Sequence, residues 1–170
     1  MLDADWYLIM AKGPAARVGD VSAHGCPLVP GPGAANVFIG GMPAWRGVGP
    51  AAAAAIVASA AAALSAVMEA QAIATAAKGS PAAPAAEANL ARVIAEQIAK
   101  LSTQMFSTGA DTVACPIVKV VIPDGPGVVI TGSTTVFVGG FPASRVGDVI
   151  QEVTAVNTVA MGCPTVMIGG

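Results

Sequence analysis

The sequence predicts a mainly β protein, built from three copies of one short strand–turn unit and carrying an inserted antiparallel α-helical hairpin. Three observations predict it. First, NVFIGGMPAWR at 36–46 is echoed by TVFVGGFPASRVGD at 135–148. Second, the chain ends on TVMIGG at 165–170, the front half of that unit, and has GPAARVGD at 13–20, the back half. Joining end to start completes a third unit, which gives the body a pseudo-threefold plan. Third, composition shifts along the chain: 13–49 and 109–170 are rich in Gly, Pro and Val, whereas 50–108 is dominated by Ala.

Each part of the unit has a physical reading. VFIG, VFVG and VMIG are short β-branched and aromatic runs with alternating faces. The Gly-Gly pair that follows permits positive φ and a tight turn. The Pro fixes φ and lacks a donor, which suits a turn or a strand edge. Arg17, Arg46 and Arg145 close the units, and Asp20 and Asp148 follow two of them three residues later. A local Arg–Asp pair that holds the turn is the expected role, rather than catalysis.

The insert reads as two helices. Residues 50–77 form a strong helix former with Pro50 at its start. KGSPAAP at 78–84 breaks it, and 85–108 follows with Leu90, Val93, Ile94, Ile98, Leu101 and Met105 at helical spacing. Ala allows the two helices to approach closely. The first is long enough to span a bilayer. Ala is nearly neutral for insertion, however, and Glu69 and Gln71 oppose it. A soluble hairpin is the expectation. The plan is then an N-terminal extension at 1–12, β segments at 13–49 and 109–170, and the hairpin at 50–108. The first ten residues are acidic, lack a positive n-region and do not read as a signal peptide; Met10 is an alternative start.

Composition narrows function. Charged residues make up 11% of the chain and the net charge is −2, so nucleic-acid binding through phosphate neutralisation has little to work with. His24 and Cys26 are neighbours on a loop without a third orienting group, and no nucleophile elbow, phosphate loop or Cys-x-x-Cys is present. No enzymatic activity is expected.

The segments GPAARVGD, GMPAWR, GFPASRVGD and GCPTVMIGG resemble those of PAAR-repeat proteins. The resemblance covers roughly 13–49 and 109–170. It implies a small pointed β cone that caps the trimeric spike of a contractile injection machine, such as a type VI secretion system or a related phage-tail-like particle, and sharpens it for membrane piercing. It implies one copy on a homotrimer, bacterial cytoplasm before firing, and secretion at the tip afterwards, with transient contact to the target membrane. The helical insertion would offer a second role, as an adaptor that recruits an effector or chaperone.

Such cones hold a metal at the point, usually Zn²⁺ with three His and one Cys. In this chain His24 and Cys163 match ligand positions of the family. Val113 and Asp124 stand where two further His are expected. Zn²⁺ accepts thiolate, imidazole and carboxylate, so His24, Cys115 and Cys163 are the expected core ligands, with Cys26 first and Asp124 second as the fourth. Two alternatives stand beside this set. In the first, the cysteines act as buried small hydrophobes; in the second, two of them pair in a disulfide and leave one over.

Overall fold

The computed structural model describes residues 12–31, 36–119 and 122–170. The expected N-terminal extension lies outside these residues except for Lys12.

Three small hairpins carry the repeated units. β3 (Phe38–Ile39) pairs with β4 (Met42–Pro43), with Phe38 opposite Pro43. β7 (Phe137–Val138) pairs with β8 (Phe141–Pro142), with Phe137 opposite Pro142. β11 (Cys163–Ile168) pairs with β1 (Gly13–Ala15), with Met167 opposite Pro14. The third hairpin is therefore assembled from the two ends of the chain. The Gly-Gly turns of the first two use φ of 57° and 81° at Gly40 and Gly41, and 57° and 84° at Gly139 and Gly140. L-residues with a Cβ avoid that region.

Backbone hydrogen bonds tie the three units into a closed cycle. Ala16 N donates to Ser144 O at 2.9 Å, Trp45 N to Ala16 O at 2.9 Å and Ser144 N to Trp45 O at 3.0 Å. A second cycle runs the opposite way round: Val18 N to Pro43 O at 2.9 Å, Gly47 N to Pro142 O at 2.8 Å, and Val146 N to Pro14 O at 2.9 Å. Beyond its own hairpin bonds, each unit thus bonds to both of its neighbours. Residues that match in sequence thus match in space.

Below this cycle, β2 (Leu28–Val29), β5 (Thr112–Lys119), β6 (Ile122–Val129), β9 (Val149–Glu152) and β10 (Val156–Thr158) form an antiparallel sheet in the order β10-β9-β6-β5-β2. Its residues and the cycle share one core of Ala16, Leu28, Trp45, Val113, Val129, Ile150 and Val159, together with Cys26 and Cys115. Trp45 is fully buried, and its indole N–H donates to Val29 O at 3.2 Å. A buried ring of that size contributes roughly 3 kcal/mol or more.

The insert is a pair of helices, α1 (Pro50–Ala76) and α2 (Ala83–Ser107), joined by a turn. On α1 the buried residues are Ala53, Ile56, Ala60, Ala63, Val67, Ala70 and Ala74, spaced by three and four. That spacing makes one continuous seam, and Ala lets the helices lie close. The seam begins on the β body. Ala53, Ile56 and Met105 pack with Val48, Ala110 and Val128, and Ala60, Ala63 and Leu101 pack with Val153. Farther out α1 exposes Val57, Leu64, Met68 and Ile73. By length and composition α1 is long and apolar enough to cross a membrane, and 28% of its most apolar window is buried.

The expectation of a mainly β chain is corrected in part. The two helices hold 27 and 25 residues, whereas the longest strands have eight and many have two or three, so helix and strand contribute comparably among the described residues. The fold is a set of small β-sheets with a helical hairpin.

Candidate metal centre

Arg–Asp clamps set the frame of the site. Arg17 donates to Asp20 through its backbone N at 2.9 Å, Nε at 3.0 Å and Nη2 at 2.9 Å. Arg145 engages Asp148 through its backbone N at 2.9 Å and Nε at 3.1 Å. Arg46 has no Asp three residues on in sequence. Its partner is Asp111, reached by its backbone N at 2.8 Å, Nε at 2.9 Å and Nη2 at 2.8 Å. The backbone return bond is kept as well: Asp20 N to Arg17 O at 3.1 Å, Asp148 N to Arg145 O at 3.1 Å and Asp111 N to Arg46 O at 3.2 Å. The helical hairpin is inserted inside the third clamp, between Val48 and Asp111. Removing 49–110 from the sequence leaves Asp111 three positions after Arg46, the spacing of the other two units.

Each guanidinium also lies under the Gly turn of the next unit. A Cβ at Gly40 would come 3.2 Å from Arg17 Nη1, and one at Gly139 would come 3.7 Å from Arg46 Nη1. Arg145 Nη1 donates to Gly170 O. The clamps are not equally dry. Side-chain exposure is 4% and 1% for Arg46 and Asp111, against 17% and 5% for Arg17 and Asp20. Burial pushes the Asp148 carboxyl up to about 6, against the pull of the Arg145 charge and its hydrogen bonds.

Counting four residues on from each clamp Asp reaches one metal-binding side chain: His24 after Asp20, Cys115 after Asp111 and Glu152 after Asp148. These are equivalent positions of the three units, and they converge. His24 sits at the head of a tight turn in which Ser22 N donates to Cys26 O at 2.9 Å and Gly25 takes φ of 75°. Cys115 lies on β5 opposite Gly125 of β6, next to Asp124. Glu152 ends β9 opposite Gly127, and a Cβ at Gly127 would sit 2.8 Å from Glu152 Cγ, so glycine is needed there for the carboxylate arm to cross the sheet.

The donor atoms of His24, Cys115, Asp124 and Glu152 all lie within 4.8 Å of one another. His24 Nδ1 is 3.2 Å from Glu152 Oε2, 3.3 Å from Asp124 Oδ2 and 4.0 Å from Cys115 Sγ. Ligands of a tetrahedral Zn²⁺ stand about 3.3–3.8 Å apart when its bonds are about 2.0–2.3 Å. The distances from the imidazole to the two carboxylates lie close to that spacing. Glu152 Oε1 is held from behind by Asn157 Nδ2 at 2.8 Å, the kind of support that fixes a ligating carboxylate.

The cysteines divide otherwise than the resemblance implies. Cys26 and Cys115 are joined in a disulfide, so the sulfur of Cys115 is both a member of the cluster and bonded elsewhere. Cys163 is not brought to the cluster. It starts β11 opposite Ala15, its Sγ is 3.2 Å from Thr165 Oγ1, and it lies beside Arg17 and the Gly40 turn. The Thr165 hydroxyl, then the Thr165 N–H, lowers its thiol pKa, and the Arg17 charge adds to this. Val113 is fully buried in the core. Sequence reasoning missed Glu152 and Asp111. The signal was the constant spacing Arg, three to Asp, four to a ligand, which is visible once the insert is excised.

No curated protein and no solved structure matches the chain. Residues 121–170 match the family described as the PAAR motif. That segment holds Asp124, Arg145, Asp148 and Glu152, while His24 and Cys115 come from outside it. With the three linked repeats, this match identifies the chain as one that carries the PAAR motif.

Proposed function

We propose that the chain is a non-enzymatic spike-tip protein: a β cone that caps a trimeric spike of a contractile injection machine and sharpens it for membrane piercing. One observation carries the reading. Val37 and Phe38, Val136 and Phe137, and Val166 and Met167 occupy the same position in the three units, and all six are exposed. Phe38, Phe137 and Met167, each opposite its Pro, are exposed by 64%, 55% and 55%. An apolar array repeated three times around one cycle suits a partner with threefold symmetry, and a single chain then suffices for three spike subunits. On this reading the protein acts as a monomer on a homotrimer, is made in the bacterial cytoplasm and leaves at the tip of the apparatus.

The cluster of His24, Asp124, Glu152 and Cys115 is the proposed Zn²⁺ site, which would bind together the chain segments that meet at the narrow end, where there is little volume for a core. Cys163 is left out of this set because its surroundings are those of β1 and Arg17. A second reading rests on α1. Val57, Leu64 and Met68 give it an exposed apolar face, which suits an adaptor that holds an effector or chaperone.

The test is binding to the purified spike trimer by the triple variant Phe38→Ala, Phe137→Ala, Met167→Ala. Half-exposed side chains that become buried contribute about 1 kcal/mol each. Their joint loss should weaken binding about 100-fold with the fold intact by circular dichroism. Unchanged affinity would refute capping through this face. If deletion of the hairpin left spike binding intact but abolished capture of an effector or chaperone, the adaptor reading would gain.

A further inference from the structure

We propose that the Cys26–Cys115 disulfide and a metal–thiolate bond at Cys115 are alternative states of one site, so that thiol redox state sets its metal affinity. The inference rests on the metal reading above and adds a regulation to it. Cys115 Sγ is bonded to Cys26 and also stands 4.0 Å from His24 Nδ1, within the 4.8 Å cluster. A disulfide sulfur carries no thiolate charge, and metal binding by Cys requires the thiolate.

With the disulfide closed, the donors are one imidazole and two carboxylates, from His24, Asp124 and Glu152. With it open, Cys115 adds a fourth donor, which completes a tetrahedron and favours Zn²⁺ over harder ions. The opening step is thiol–disulfide exchange with a dithiol. The dithiol sulfur attacks one protein sulfur, the S–S bond breaks, and a second exchange releases the cyclic disulfide of the reagent. Two electrons and two protons pass to Cys26 and Cys115, and the Cys115 proton leaves when metal binds. Closure is the reverse exchange with a small disulfide such as oxidised glutathione. Both cysteines are buried, yet a groove of about 500 Å³ lined by Ser102, Phe106, Cys115, Pro116 and Gly125 opens beside Cys115. That groove gives a small thiol its approach. Cytoplasm keeps thiols reduced and the exterior does not, so the two states match the two environments of the proposed function.

The experiment titrates Zn²⁺ against a chromophoric chelator, using protein in a Cys163→Ser background, once oxidised by glutathione disulfide and once reduced by dithiothreitol and freed of it without air. The reduced form should bind one equivalent more than about tenfold tighter than the oxidised form. Co²⁺ should give thiolate charge-transfer absorption in the reduced form alone. Reduced Cys26→Ala should bind as tightly as the reduced parent, and Cys115→Ser weakly under both treatments. Equal affinity in the two forms overturns the switch and keeps the metal site. No binding in either form overturns the metal reading itself. Should Cys26→Ala fail to fold, the comparison of oxidised and reduced protein still decides.

Discussion

Asp111→Ala should be among the most damaging single substitutions in the chain, although the residue lies far in sequence from the arginine it serves. The carboxylate accepts from Arg46 N at 2.8 Å, Nε at 2.9 Å and Nη2 at 2.8 Å, and from Gly31 N at 2.7 Å. Arg46 is 3% exposed and its guanidinium stacks 5.1 Å from the Phe141 ring. Water cannot replace the lost partner without opening that stack. Breaking a buried pair by removing one member costs about 3–5 kcal/mol, and the two orphaned backbone N–H groups keep the loss at the upper end. For a chain of this size each kcal/mol moves Tm by about 2–4 °C, so Tm should fall by roughly 8–20 °C. Asp20→Ala is the internal control. Arg17 is more exposed, solvent can take over part of its hydration, and the loss should be about 1–3 kcal/mol. Urea denaturation followed by Trp45 fluorescence measures both. If Asp111→Ala cost no more than Asp20→Ala, the clamp across the insertion would not be a structural joint.

Two further predictions follow from the same geometry. Excising 49–110 and joining Val48 to Asp111 restores the Arg-to-Asp spacing of the other units, so the β body should still unfold cooperatively after losing its helical circular dichroism; non-cooperative melting would mean that Ile56 and Met105 are indispensable to the core. Burial holds the Asp148 carboxyl near 6 in the folded protein, above its ordinary 3.8; folding then favours the protonated form, so the contribution is full below about pH 4 and is lost as pH rises through 6. Carbon-13 titration of the Asp148 carboxyl should show a midpoint near 6, and Asp148→Asn should flatten the fall in stability between about pH 4 and 6; a midpoint below about 4 would contradict this.

The repeats were legible because turn chemistry is local. Gly-Gly before Pro and Arg before Asp constrain a few adjacent residues, and the unit split across the termini could be completed on paper before β11 was seen to pair with β1. The hairpin was legible for the same reason, from Ala content and a helical period. What sequence reasoning lost was long-range. Asp111 is separated from Arg46 by the whole insert, so the third clamp looked incomplete. Glu152 was overlooked because the family ligands are His and Cys, while position, four residues past the clamp Asp, is what brings a side chain to the cluster. Cys163 was expected there because the resemblance puts a ligand at its position, but its strand belongs to the split hairpin and its neighbours are Ala15 and Arg17. The pairing of Cys26 with Cys115 depends on a Cα separation of 5.3 Å across 89 residues, which spacing alone does not specify.

The central claim is that one chain supplies all three units needed to cap a threefold spike. Native mass spectrometry of the purified protein mixed with its spike tests this most directly. The account predicts a single complex of one chain with three spike subunits, and a monomer when the protein is alone. A complex holding three copies of this chain, or a stable homotrimer in the absence of spike, would contradict it.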